Sequence, residues 1–162
     1  MTAPARHTIR FATESDIDAV AELLHAMDEY YGNPLSIQAD YVSTVATTIT
    51  EKEGTRFVLC HCDGRPAGLA CLAVLRPGRQ LTGLVFIKDL FVRDGLRRQG
   101  LGREFLRFIA DFAMSAGIGR IDLATARDNE AARKLYDRLG GVAVPAVYYN
   151  FSRTAIARLT ET

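Results

Sequence analysis

Phe86 to Arg107 runs FIKDLFVRDGLRRQGLGREFLR and changes character twice. Through Val92 it is apolar apart from Lys88 and Asp89, which predicts a strand beginning at Leu84. A loop with Gly95 and Gly100 follows. From Leu101 onward the apolar residues Leu101, Phe105, Phe108, Ile109 and Phe112 recur at three- and four-residue steps, the period of a helix. The helix start brings unpaired backbone N–H groups and the positive end of the helix dipole to one point, a ready anion site. Gly100 and Gly102 remove the side chains that keep a ligand off the backbone. Five arginines, Arg93, Arg97, Arg98, Arg103 and Arg107, are opposed only by Asp94 and Glu104, which suits a ligand with several phosphate charges. The string G-x-x-x-x-G-K-[ST] is absent, and Phe105 stands where a dinucleotide fingerprint needs its third glycine. Nucleoside triphosphates and dinucleotides therefore lose ground. The plainer alternative is a glycine turn capping a solvated, arginine-rich helix face.

Upstream, His7 to Phe11 predicts a short strand, with residues 1–6 a frayed end. Thr13 is a candidate N-cap with Asp16 three residues on. Ile17, Val20, Ala21, Leu24 and Met27 then follow at helical spacing, and Tyr31-Gly32-Asn33-Pro34 ends that helix. Ser36 to about Lys52 reads as a second helix. Arg56 to Cys62 and Ala67 to Arg76 read as strands joined by Asp63-Gly64-Arg65-Pro66, a hairpin signal. The turn Arg76-Pro77-Gly78-Arg79 leads to the strand at Leu84, so these three strands form an antiparallel meander. Downstream, Ile121 to Thr125 predicts a strand and Asn129 to Leu139 a helix. Val142 to Val144 and Val147 to Phe151 predict two final strands. The fold class is mixed α/β (α+β), and 162 residues make one domain, expected over residues 7–160.

Composition limits the function classes. Twenty basic and 19 acidic residues give a net charge of +1, unlike a dedicated nucleic-acid binder. No run approaches the roughly 20 apolar residues of a membrane span, and Met1 to Arg10 lacks a secretory apolar core. Three cysteines are an odd number and fit a reducing compartment, so a cytoplasmic location is expected. Cys60 and Cys62 flank His61, but a closed zinc site needs four ligands and the C-x-x-C spacing is missing. Buried strand cysteines, and no metal, are the expectation.

Arg97-x-x-Gly100-x-Gly102 after a strand ending Asp89-Leu90-Phe91-Val92 resembles the acetyl-CoA pyrophosphate loop of the GNAT superfamily of N-acetyltransferases. Asn129-x-x-Ala132-x-x-Leu135-Tyr136-x-x-Leu139-Gly140 is similar to that family's later helix motif, in the correct order. Gly141 departs from the pattern, standing where an aromatic residue is frequent. The resemblance implies a mostly antiparallel twisted sheet splayed between its fourth and fifth strands, with helices on both faces. It implies acetyl-CoA as co-substrate, its pantetheine along the backbone of Leu90, Phe91 and Val92. The pyrophosphate would lie on Arg97, Arg98, Gln99, Gly100, Leu101, Gly102 and Arg103, with Asn129 near the pantetheine arm.

The same resemblance places Tyr136 beside the departing sulfur. A phenol is a weaker acid than a thiol, so a hydrogen bond to that sulfur is its expected part. Asp89 is the candidate base, acting directly or through water, or else a structural strand residue. Family practice puts acceptor contacts at Asp28, Glu29, Tyr30 and Tyr31 and at Tyr148 and Tyr149, where carboxylates beside aromatic faces suit a cationic amine. Lys88 departs from the acidic strand of polyamine acetylating relatives. The implied activity is acetylation of a small-molecule amine. Acetylation of a protein N-terminus or lysine, or an acyl-CoA-binding sensor without turnover, are the alternatives. A homodimer is implied by resemblance as well.

Overall fold

The computed structural model describes residues 7–51, 54–77 and 82–160. Residues 1–6, Lys52, Gly78 and Arg79, on which sequence expectations fell, lie outside the described residues. The chain divides into two compact units, one through Arg127 and one from Asp128.

The first unit holds one five-stranded sheet in the order β1 (His7–Phe11), β2 (Thr55–Cys62), β3 (Arg65–Leu75), β4 (Leu84–Val92) and β5 (Ile121–Leu123). Its neighbours are antiparallel except β4 and β5, which run parallel. Asp63 and Gly64 make the β2–β3 turn with φ of 49° and 78°, the doubly left-handed pair that a tight hairpin favours. A 3-10 turn at Glu14–Asp16 leads into α1 (Ile17–Tyr31), and Gly32 ends that helix at φ 68°. The buried Asp16 carboxylate takes two 2.7 Å bonds from the Arg10 guanidinium and one of 2.8 Å from the Thr13 amide. Chiefly the Arg10 bonds hold its pKa well below the usual carboxylate range.

Helices cover both faces of this sheet. On one, α1 and α2 (Gln38–Glu51) bury Val20, Leu23 and Val45 with Leu59, Leu69 and Phe91. On the other, α3 (Leu101–Ser115) buries Phe105 and Ile109 with Val58, Ala70, Leu72, Val85 and Ile87. Each of the larger side chains contributes about 2 kcal/mol through burial. Gly68 allows this contact, because a Cβ there would stand 2.8 Å from the Phe91 carbonyl oxygen and 3.0 Å from the Phe105 ring.

The sheet opens within β4. Leu72 pairs with Ile87 and Cys71 with Asp89, so Lys88 is an extra residue, a β-bulge. It reverses the alternation: Val85 and Ile87 face α3, whereas Phe91 faces α1 and α2. Pairing with β5 ends at Ile87↔Leu123, the same place. Bulges sharpen local twist, and here the twist coincides with the splay.

The second unit contains α4 (Glu130–Arg138) and α5 (Arg153–Thr160). The expected strands Val142–Val144 and Val147–Phe151 do not form; residues 141–152 carry no regular element. Their alternating apolar pattern specifies which side chains share a face but supplies no neighbouring strand, and a strand exists only when paired. The helix α5 was not foreseen. Among the described residues, no helix is long and apolar enough to cross a membrane.

Candidate active site

Alternation of backbone direction sets which groups the open half of β4 offers. The Arg93 amide donates to the Ala67 carbonyl at 3.0 Å, so residues 91 and 93 point their backbone groups toward β3. Leu90 and Val92 therefore point theirs away from β3, along an edge with no strand partner among the described residues. Leu90 and Val92 pack their side chains on the α3 side. The Val92 carbonyl is already engaged by Arg97 Nε at 2.9 Å.

The loop after Val92 makes a 3-10 turn at Asp94–Leu96 and then alternates the sign of φ: Arg98 is at 62° and Gly100 at 86°, while Gln99 and Leu101 are negative. Alternation of that kind turns successive N–H groups into one concavity, an anion nest. A left-handed arginine is uncommon and costs about 1 kcal/mol, a strain typical of ligand loops. Gly100 is the N-cap of α3 and no side chain caps the helix. The first internal bond is Glu104 N–H to the Gly100 carbonyl at 3.1 Å, leaving the Leu101, Gly102 and Arg103 amides available. Arg98 and Arg103 are exposed beside them. An exposed strand edge followed by an uncapped nest fits an elongated ligand with amides at one end and phosphates at the other.

The Arg97 side chain, expected at the pyrophosphate, has partners within the protein. Its guanidinium lies 3.8 Å over the Tyr30 ring, with the Asp94 carboxylate at 3.8 Å. It fastens the loop to α1 and to the end of β4. Arg93 is likewise tied back, to the Pro66 carbonyl at 2.9 Å and to Glu22.

Asp89 sits opposite Cys71 on the α1 face, with Lys88 Nζ 2.7 Å from its Oδ2. Burial chiefly, then the Asp89 charge, pushes the Cys71 thiol up to about 11. Tyr30 packs edge-on to Tyr31 at 5.1 Å and tilts over Phe91 at 6.2 Å. So Asp89, Phe91 and Tyr30 belong to one face. Asp28 is committed to structure: its carboxylate accepts from Tyr41 Oη at 2.8 Å and Asn33 Nδ2 at 2.9 Å. Glu29 and Tyr31 are exposed. Sequence reasoning missed Tyr41 and Asn33, and no local signal linked either to Asp28.

In the second unit, Asn129 is the N-cap of α4, its Oδ1 accepting from the Ala132 amide at 3.3 Å. Tyr136 is half-buried on that helix, and its carbonyl accepts from the Gly141 amide at 2.9 Å. A Cβ at Gly141 would come within 3.1 Å of that carbonyl oxygen, a close contact that a small shift relieves. Tyr148 and Tyr149 are exposed. The Cys60–His61–Cys62 segment lies in β2, and burial, the leading cause, pushes the Cys60 thiol up to about 12. No group of three or more metal-ligating side chains gathers among the described residues.

Comparison with known proteins agrees with this geometry. The family described as acetyltransferase (GNAT) matches residues 20–141, and the chain belongs to that family. A streptothricin acetyltransferase from Streptomyces lavendulae is 33% identical over 90 residues, 56% of this chain and 46% of that protein. The chain spans about half the length of the curated relatives it matches. An integron cassette protein from the mobile metagenome of V. cholerae superposes with a TM-score of 0.88 at 21% identity, covering 96% of this chain and 98% of the other. An aminoglycoside N-acetyltransferase solved with CoA gives 0.76 at 15% identity, covering 94% and 99%. These two likenesses establish the fold: the mixed, splayed sheet expected from the sequence.

Proposed function

We propose that the protein is an acetyl-CoA-dependent N-acetyltransferase acting on a primary amine of a small molecule. The observation that carries this reading is the continuity of the open β4 edge, Leu90–Val92, with the nest at Arg98–Leu101 and the uncapped start of α3. Acetyl-CoA supplies the thioester that the amine attacks. Backbone groups of Leu90 and Val92 hold its amides, and the amides of Arg98 to Arg103 hold its diphosphate, assisted by the Arg98 and Arg103 charges.

A lysine-like amine has a pKa near 10.4, so about one molecule in 2500 is free base at pH 7. Recovering it costs about 4.6 kcal/mol unless a base assists. Asp89 takes that proton, directly or through water, and Tyr136 hydrogen-bonds the departing sulfur. Tyr30, with Arg97 over its ring, and Tyr31 offer aromatic surface to the acceptor cation, with Glu29 beside them. Asn129 contacts the pantetheine arm in addition to capping α4.

We also infer a homodimer and a single functional domain over residues 7–160, in the cytoplasm. The dimer rests on the family resemblance alone. Sedimentation at the mass of one chain at micromolar concentration overturns the dimer. The function is tested by thiol release from acetyl-CoA across a panel of amines, peptides and proteins. Turnover on small amines supports the reading. Turnover on peptides alone points to protein acetylation, and tight binding without turnover points to a sensor. Tyr136→Phe is expected to lower kcat about tenfold with acetyl-CoA affinity kept; lost affinity with intact single-turnover chemistry removes that role.

A further inference from the structure

Lys88 is the residue that the bulge adds to β4. In a regular strand, neighbours point to opposite faces and cannot pair. Here the extra residue lets Lys88 Nζ reach Asp89 Oδ2 at 2.7 Å, with the lysine side chain 67% exposed and the carboxylate 22%. Asp28 is close enough to act electrostatically on Lys88, but its own oxygens are taken by Tyr41 and Asn33. Asp89 is thus the strand carboxylate of this face that a new cation meets, and a cation already stands there. That cation is a primary alkylammonium, the group any amine acceptor brings.

We propose that Lys88 determines acceptor specificity by occupying, with its own ammonium, the place at Asp89 that an acceptor ammonium must take. This rests on the reading of Asp89 as the group that receives the acceptor's proton. A tethered competitor acts at an effective concentration in the millimolar range. An amine recognised only through its ammonium is therefore held out. An amine whose body also stacks on Tyr30 or Tyr31 displaces Lys88. The lysine itself is a poor acetyl acceptor, because the Asp89 hydrogen bond, first among the causes, raises its pKa and an ammonium has no lone pair to attack with. The substrate class selected is an amine on an aromatic or otherwise extended framework, in preference to a short alkylamine.

The test compares n-butylamine and tryptamine on the full chain, wild type against Lys88→Met, Lys88→Arg and Lys88→Met/Asp89→Asn. Binding is followed by chemical-shift titration in the presence of CoA, and turnover by thiol release. Exposed pairs of this kind change an equilibrium by about two- to fivefold. Lys88→Met is expected to bind n-butylamine tighter by that factor and to lower its KM, with kcat within about twofold, while the tryptamine preference shrinks. Lys88→Arg keeps the wild-type ratio, and the double variant loses the gain. Unchanged or weaker n-butylamine binding in Lys88→Met, no detectable n-butylamine binding in any variant, or a gain that survives in the double variant, overturns the proposal. Absence of thiol release by the wild type with every amine removes the enzyme reading instead, and the titrations still decide the competition at Asp89.

Discussion

Leu84–Ile87 and Lys88–Val92 are halves of one strand under different constraints. The first half has β3 on one edge and β5 on the other, and Val85 and Ile87 are buried against α3. The second keeps β3 but has no strand on its other edge among the described residues, and it carries the only charged pair of the strand. One half is satisfied by the protein itself; the other leaves backbone groups for something to bind. On the proposed reading, a single extra residue thus divides a half paired on both edges from a half whose outer edge is left for a ligand. Phe91 of the second half still packs in the core.

That separation is open to direct attack. Ile87→Ala is expected to cost about 3 kcal/mol of stability by denaturant unfolding while leaving acetyl-CoA affinity of the folded protein near wild type. Asp89→Asn is expected to do the reverse, lowering kcat about 100-fold with less than about 0.5 kcal/mol change in unfolding. Equal stability losses at both positions erase the distinction. Gly100→Ala forces an L side chain to φ 86° and is expected to weaken acetyl-CoA binding about tenfold by calorimetry, although its Cβ meets no atom within 4 Å. The smallest effect belongs to the thiols. Cys71 and Cys60 are held protonated, near 11 and 12, so the folded state binds their protons more tightly than the unfolded state does. Their contribution is complete below an ordinary thiol pKa of about 8.5 and is lost as pH rises through the folded values. Stability is therefore expected to fall between pH 9 and 11, and native alkylation at pH 8 to spare both residues.

The sequence discloses elements whose signals are local. Gly32 and Asp63-Gly64 mark turns because they supply left-handed backbone, and the apolar spacing of α3 states both its extent and its buried face. What stays hidden depends on partners far along the chain. Arg97 reads as a phosphate ligand from its neighbours, yet its stacking partner Tyr30 is on another element. Val142 to Phe151 has the alternation of a strand without a strand beside it. The bulge left one trace, the charges of Lys88 and Asp89 interrupting an apolar run, and by itself that trace did not distinguish a kink from a solvated spot. The nest at Arg98–Leu101 was legible in kind because glycines precede a helix, but the left-handed arginine was not.

Lys88 also makes β4 sensitive to counting. Deleting Lys88 itself leaves a plain over-and-under order in which Ile87 and Leu90 stay in the α3 layer and Asp89 and Phe91 in the α1 layer. Deleting a second residue between Asp89 and Phe91 sends Phe91 into the α3 layer. Length variants of this strand should therefore divide at the bulge, with loss of Lys88 alone keeping Asp89 and Tyr30 on a common side.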